Sequence, residues 1–145
     1  MPSLDSAAKN NIPPELEIAL IALEKARQDL VAVQKWLTDG DISDEIIGFH
    51  IQQAVEKSLK AILLSRVIDY PRTHNLRLLI DLCKANGIQV PAEFLTVDVF
   101  NRFAVQWRYD LLPPTAQPAF ERGTAYSLAH RVWTWATELV KNIRQ

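Results

Sequence analysis

Residues 48–76 read GFHIQQAVEKSLKAILLSRVIDYPRTHNL, and this stretch decides the fold. At about 100° per residue, Ile47, Ile51, Ala54, Val55, Ser58, Leu59, Ala61 and Ile62 fall in one arc of a helix. His50, Gln53, Glu56, Lys57 and Lys60 fall in the opposite arc, and Phe49 and Leu64 accompany them. One arc is made for a core. The other mixes imidazole, amide, acid and base, a richer chemistry than solvation alone requires. Spacing by itself nevertheless favours a solvated face with one Glu56–Lys60 salt bridge in the stabilising i, i+4 order.

Working outward, Ser43 or Asp44 can cap this helix, and Tyr70-Pro71 stops it by about Ile68, because a residue before proline avoids the α region. Gly48 is expected to cost the helix about 1 kcal/mol relative to alanine. Upstream, Pro13 and Pro14 with Glu15 and Glu17 open a first helix. Leu16, Leu20, Leu23, Leu30, Val33 and Leu37 carry it to about Thr38, where Asp39-Gly40-Asp41 supplies turn chemistry. Residues 1–12 are polar and small, and are expected to fray.

Downstream, Thr73 or Asn75 caps a short third helix with Leu76, Leu79, Ile80 and Cys83 on one side, and Asn86-Gly87 closes it. Pro91 starts a fourth, with Val97, Phe100, Ala104 and Trp107 as its apolar stripe and Asp98, Arg102 and Gln106 on a neighbouring face. After a break at Leu111-Leu112-Pro113-Pro114, a last helix is predicted over about 117–143 through Ala125, Leu128, Val132, Trp135 and Leu139. There is no useful strand-like alternation. The sequence therefore predicts an all-α, up-and-down antiparallel bundle: four main helices plus one short helix in a single domain, residues 13–145. Three helices of about 25 residues make an elongated body, and such bundles pair side by side, so a homodimer is expected.

Composition sets the outer limits. The chain has 145 residues, 48% apolar and 23% charged, with a formal net charge of −1. That balance gives no bulk attraction for nucleic acid or membrane, so any nucleic-acid role rests on a local patch. The single cysteine, Cys83, excludes an internal disulfide and a cysteine-based zinc site. His50, His74 and His130 have no metal-ligand spacing, and the four glycines are isolated, so neither a metal site nor a glycine-rich phosphate loop is expected. No basic-then-apolar leader and no apolar run of membrane length is present, which makes a cytoplasmic protein the expectation.

Three constellations could carry chemistry. The polar arc at His50, Gln53, Glu56, Lys57 and Lys60 offers two ammonium groups and an imidazole to a phosphate. The segment RFAVQWRYD, Arg102–Asp110, combines phosphate-binding arginines with stacking surfaces at Trp107 and Tyr109. Its blander account makes Trp107 core and sets Arg102 and Arg108 against Asp98 and Asp110. The loop Arg72-Thr73-His74 places an imidazole, a group able to move a proton, beside a helix start, where a capping role is the commoner one.

FHIQQAVEKSLKAILL, then YPRTHNLRLLIDLC, then AVQWRYD together resemble the HEPN domain family, and ARQDLVA, Ala26–Ala32, fits its first helix. The resemblance spans about half of the chain directly. It implies a dimeric all-α bundle, often encoded beside a minimal nucleotidyltransferase in toxin–antitoxin or related two-component modules. Active HEPN ribonucleases carry an arginine, four to six residues, then a histidine. Arginine steadies the scissile phosphate while histidine moves the protons of the 2′-hydroxyl attack. Here Arg66–His74 and Arg122–His130 each enclose seven residues and Arg72–His74 one, so no pair fits. At the aligned place, Arg102 is followed by Trp107 where histidine belongs, and indole cannot act as a general base.

What the resemblance implies is thus a module without a catalytic residue or cofactor, binding a nucleotide or RNA phosphate and a nucleotidyltransferase partner. Its ligand surface would comprise His50, Gln53, Glu56, Lys57, Lys60, His74, Arg102, Arg108 and Tyr109. The alternative is a divergent metal-independent ribonuclease toxin in which His50 or His74 reaches Arg102 or Arg108.

Overall fold

The structure, a computed structural model, describes residues 11–104 and 119–142. Its element order is α1 (Pro14–Trp36), α2 (Asp44–Ser65), α3 (Leu76–Ala85), a 3₁₀ helix (Ala92–Phe103) and α4 (Arg122–Asn142). These form the expected antiparallel all-α bundle. Helix α2 packs against every other element, and α1, α3, the 3₁₀ helix and α4 surround it. That position explains its sequence. All eight residues of its predicted apolar arc are buried, and the two serines, Ser58 within that arc and Ser65, also buried, satisfy their hydroxyls on helical carbonyls (Ala54 O at 2.7 Å, Ile62 O at 2.8 Å).

The local start signals act as expected. Pro14 opens α1, Ser43 Oγ accepts from Ile46 N to cap α2, and Asn75 Oδ1 accepts from Arg77 N and Leu78 N to cap α3. At the end of α3, Gly87 takes φ 81°, while Ile88 N and Gly87 N bond back to Cys83 O and Lys84 O. This is the six-to-one and five-to-two pairing of a left-handed helix stop. Cys83 lies buried, and burial pushes its thiol up to about 11, which makes it an inert core residue.

Four expectations need correction. Helix α2 ends at Ser65, short of Ile68, because Val67 occupies the left-handed position (φ 54°) of the same kind of stop. There Val67 N bonds to Leu64 O and Ile68 N to Leu63 O. The fourth helix is 3₁₀, and its buried residues Phe94, Val97, Phe100 and Phe103 recur every third position, as three residues per turn requires. Ala104, expected in the stripe, is only half-buried, and Trp107 lies outside the described residues. Helix α4 begins at Arg122 rather than 117. Glu121 caps it, accepting from Thr124 N at 2.6 Å and Gly123 N at 3.0 Å. Its fully packed line is Ala125, Ala129, Val132, Ala136 and Val140, with Leu128, Trp135 and Leu139 half-buried at its edge. Finally, Ile12, placed in the fraying N-terminus, packs against the core.

Gly48 also acquires a reason. A Cβ built there would lie 2.5 Å from Cγ and Cδ1 of Phe103, so glycine lets the 3₁₀ helix approach α2 closely. Arg122, which sequence reasoning passes over, fastens the α1–α2 turn. Its guanidinium bonds Asp44 Oδ1 at 2.7 Å, Asp39 O at 3.0 Å, Trp36 O at 3.1 Å and also Ile42 O. Carbonyls left over at the end of α1 thereby find a donor. Among the described residues no helix is long and apolar enough to cross a membrane.

Candidate functional site

The polar arc of α2 is not a solvated face. It divides into two clusters, each built round one carboxylate.

The first is centred on Asp29, from α1. Its Oδ1 lies 2.8 Å from His50 Nδ1 and its Oδ2 accepts from Lys57 Nζ at 2.7 Å. Asp29 is 12% exposed, whereas His50 and Lys57 retain 28% and 30%, so the acid sits behind the two groups that it holds. Trp36 and Phe49 meet the His50 ring edge-on, each with its centroid 5.5 Å away. Asp29 falls inside the ARQDLVA match, yet sequence reasoning does not mark it as a site residue. An acid at one point of the first helix has no periodic signature. Its role exists only because α1 packs against the His50–Lys57 side of α2.

The second cluster is centred on Glu56, the one buried carboxylate among the described residues. Its Oε1 accepts from Gln52 Nε2 at 2.9 Å and pairs with His74 Nδ1 at 2.9 Å, while Oε2 accepts from Lys60 Nζ at 3.0 Å. Burial works to raise the Glu56 carboxyl, but the bonds from Gln52, Lys60 and His74, with the charge on Lys60, hold it below its usual value. Gln52, fully buried, also donates to His74 O at 3.2 Å, and its own Oε1 accepts from Gln53 Nε2 at 2.7 Å. Lys60 lies over the Tyr70 ring at 5.6 Å. Together these contacts strap the loop between α2 and α3 onto α2. His74, expected at a helix end, is a carboxylate partner instead.

Arg102 stands apart from both clusters. Its guanidinium carbon lies 4.5 Å from the Phe103 ring centroid and 5.9 Å from that of Phe120. It borders a cleft of about 320 Å³ lined also by Thr96, Phe103, Phe120 and Leu128. Phe103 packs on Gly48, and Gly48 and His50 lie about 200° apart around α2. His50 and Phe103, with Arg102 over its ring, therefore lie on opposite sides of the helix. The loop of His74 is nearer to Arg102, since Asn101 Nδ2 donates to Asn75 Oδ1 at 3.2 Å and Asn101 Oδ1 accepts from Leu76 N at 2.9 Å.

Of the nine candidate ligand residues, the fold thus groups His50 with Lys57, and Gln53 with Glu56, Lys60 and His74, and puts Arg102 elsewhere. Arg108 and Tyr109 lie outside the described residues, as do Gln106, Trp107 and Asp110 and the Leu111–Pro114 break. No group of three or more His, Cys, Asp or Glu residues among the described ones has the geometry to hold a metal ion. His130 is exposed on α4 between Tyr126 and Trp133.

Two solved structures are similar to this chain. TT1696 from Thermus thermophilus superposes with a TM-score of 0.63 at 27% identity, covering 83% of this chain and 97% of its own. ST0689, described as an archaeal HEPN homologue, gives 0.64 at 20% identity, covering 84% and 97%; at that identity the likeness speaks for the fold. No curated protein matches the chain. The HEPN domain model matches residues 19–140, which takes in all of α2 with both carboxylate clusters, and the chain belongs to the HEPN domain family.

Proposed function

We propose that this HEPN-domain protein binds a nucleotide or RNA phosphate without cleaving it, as a homodimer acting with a nucleotidyltransferase partner in a toxin–antitoxin-like system. The observation that carries the binding role is the ordering of cations along α2. Lys57 and Lys60 are each held by a carboxylate at hydrogen-bond distance, half-buried rather than waving in solvent. An ammonium has three N–H donors, and the observed bond to the carboxylate uses one. The remaining donors are positioned at reduced entropic cost for phosphate oxygens. The non-catalytic part is supported by the lack of an Arg–His pair at the family spacing and by Trp107 at the histidine position. The partner and the dimer rest on the family resemblance and on the bundle architecture.

The test is calorimetric titration with nucleotides and short RNA on wild type and on Lys57→Met with Lys60→Met, which keeps the aliphatic stems. Loss of the binding signal in a variant with wild-type circular dichroism is expected; unchanged affinity would refute the assignment of the site. Light scattering should give twice the 16.5 kDa chain mass. Co-purification with a nucleotidyltransferase encoded alongside tests the partner.

A ribonuclease reading is favoured by one observation only, the Asn75–Asn101 bond that ties the loop of His74 to the residue before Arg102. It requires RNA cleavage that survives chelation of metals and disappears in His74→Ala.

A further inference from the structure

Resting on the homodimer of the reading above, we infer that the outer face shared by α1 and α2 is where two copies of this chain meet. A two-fold axis then crosses α1 level with Arg27 and α2 level with Val55.

The fold leaves this face over. Helix α2 packs against every other element, yet none of Ile46, His50, Gln53, Lys57, Lys60 and Leu64 is buried, and Ile46 is 42% exposed. They follow in steps of four, three, four, three and four residues, the rhythm of a helix-pairing seam. Helix α1 repeats those steps at Ile18, Ala22, Lys25, Asp29, Ala32 and Trp36, none of them buried, with Ile18 51% exposed. Each set keeps to an arc of about 80° at about 100° per residue. The two arcs abut, since Asp29 bonds His50 and Lys57 and Trp36 lies against His50. The 22 residues of α2 run about 33 Å, and two helices side by side span about 20 Å. Each copy thus offers about 650 Å², within the range of specific interfaces.

What fits the face is the same face turned end for end. On α1, Ile18 then falls opposite Trp36 of the second copy, Ala22 opposite Ala32, and Lys25 opposite Asp29. On α2, Ile46 falls opposite Leu64, with Gln53 opposite Lys57 and His50 opposite Lys60 between them. Apolar ends meet apolar ends, small residues meet small ones, and one cation meets an acid. Lys57 and Lys60 bring their own carboxylates, Asp29 and Glu56, so the polar centres approach without net repulsion. The α1–α2 register makes both pairings agree with one axis. Asp29 touches His50 and Lys57, whose midpoint lies between Gln53 and Ala54. Two residues back along α1 and two forward along its antiparallel neighbour reach Arg27 and Val55, the centres of the two seams. Lys57 and Lys60 lie within about a turn and a half of that axis, so the phosphate site proposed above is shared between two copies.

The experiment is sedimentation of the full chain over a dilution series, followed by cross-linking. Ile46→Glu, which appears twice in the dimer and adds an acid at the start of α2 where the helix tolerates it, should raise the dimer Kd by about a hundredfold or more. Val99→Glu, at a site 50% exposed on the 3₁₀ helix, should leave it unchanged. The register is read with a short bis-maleimide. Ile46→Cys combined with Leu64→Cys should cross-link into dimers. Neither single variant should, because each position lies about 27 Å along the helix from its own copy. Cys83, buried with its thiol pushed up to about 11, stays silent. A dimer of unchanged affinity in Ile46→Glu, a cross-link in a single variant, or a wild-type dimer whose cysteine pair does not cross-link overturns this interface and leaves the homodimer standing. A wild type that stays monomeric refutes both.

Discussion

Substituting Gly48 by alanine sets a local preference against a tertiary contact, and the two predict opposite signs. Alanine is the better helix former by about 1 kcal/mol, so a view confined to α2 expects stabilisation. The new Cβ, however, would lie 2.5 Å from Phe103 Cγ and Cδ1 and 2.6 Å from Cε1, where carbon contacts normally settle at about 3.5–4.0 Å. The ring must retreat by about 1 Å. It has little room, for Phe120 lies 5.0 Å away between centroids on one flank and the Arg102 guanidinium rides at 4.5 Å on the ring. Overpacking of this kind costs about 1–3 kcal/mol. The balance is a net loss of about 1 kcal/mol, or a fall in Tm of about 3 °C for a chain of this size. Urea unfolding of wild type, Gly48→Ala, Phe103→Leu and the double variant measures it. The double variant should lose less than the sum of the single losses, because the smaller side chain relieves the clash. A Gly48→Ala protein as stable as wild type, or more so, would refute the close packing of the 3₁₀ helix on α2. Phe103 also carries the Arg102 guanidinium over its ring, so the same substitution should shift Arg102.

Two further outcomes follow from the geometry. Glu56→Gln removes a buried charged acceptor with three partners and should cost about 2–3 kcal/mol at pH 7. Because the folded-state pKa of Glu56 is depressed, its contribution is full above the unfolded carboxylate range and vanishes as pH falls through the folded value. The gap in urea midpoint between wild type and Glu56→Gln should therefore narrow from pH 7 to pH 3, and a constant gap would contradict the ionic role. Val67, 74% exposed with φ 54°, holds a branched side chain where glycine is favoured. Val67→Gly should raise the urea midpoint by about 0.5–1 kcal/mol of stability, net of the entropy glycine adds to the unfolded chain; a lower midpoint would show that the valine side chain has a packing role.

By itself the sequence determined the helical architecture, most starts and stops, and the inner face of α2. Those features are written in local chemistry: proline at the first turn of α1, Ser43 and Asn75 as caps, Asn86-Gly87 as a stop, and apolar residues at helical spacing. Where two local codes coincide, sequence reasoning goes astray. A run of apolar residues from Phe94 to Phe103 serves three and 3.6 residues per turn almost equally, and only packing against α2 and α3 selected the tighter helix. Val67 carries no glycine to announce a left-handed stop, so local signals carry α2 past its true end.

The candidate site divides along the same line. His50, Glu56, Lys57, Lys60 and His74 were legible because they share a polar arc or follow it closely, and the family pattern supported them. Asp29, Trp36 and Gln52 were not, since each gains meaning only from a neighbour distant in sequence or from burial that no periodicity reveals. The tertiary structure decided that the arc is two clusters rather than one wall. A carboxylate taken out of water must gather donors, and Asp29 and Glu56 gather them from different sides of α2. The same packing set His50 across the helix from Arg102, because the glycine that admits Phe103 lies about half a turn away from the histidine.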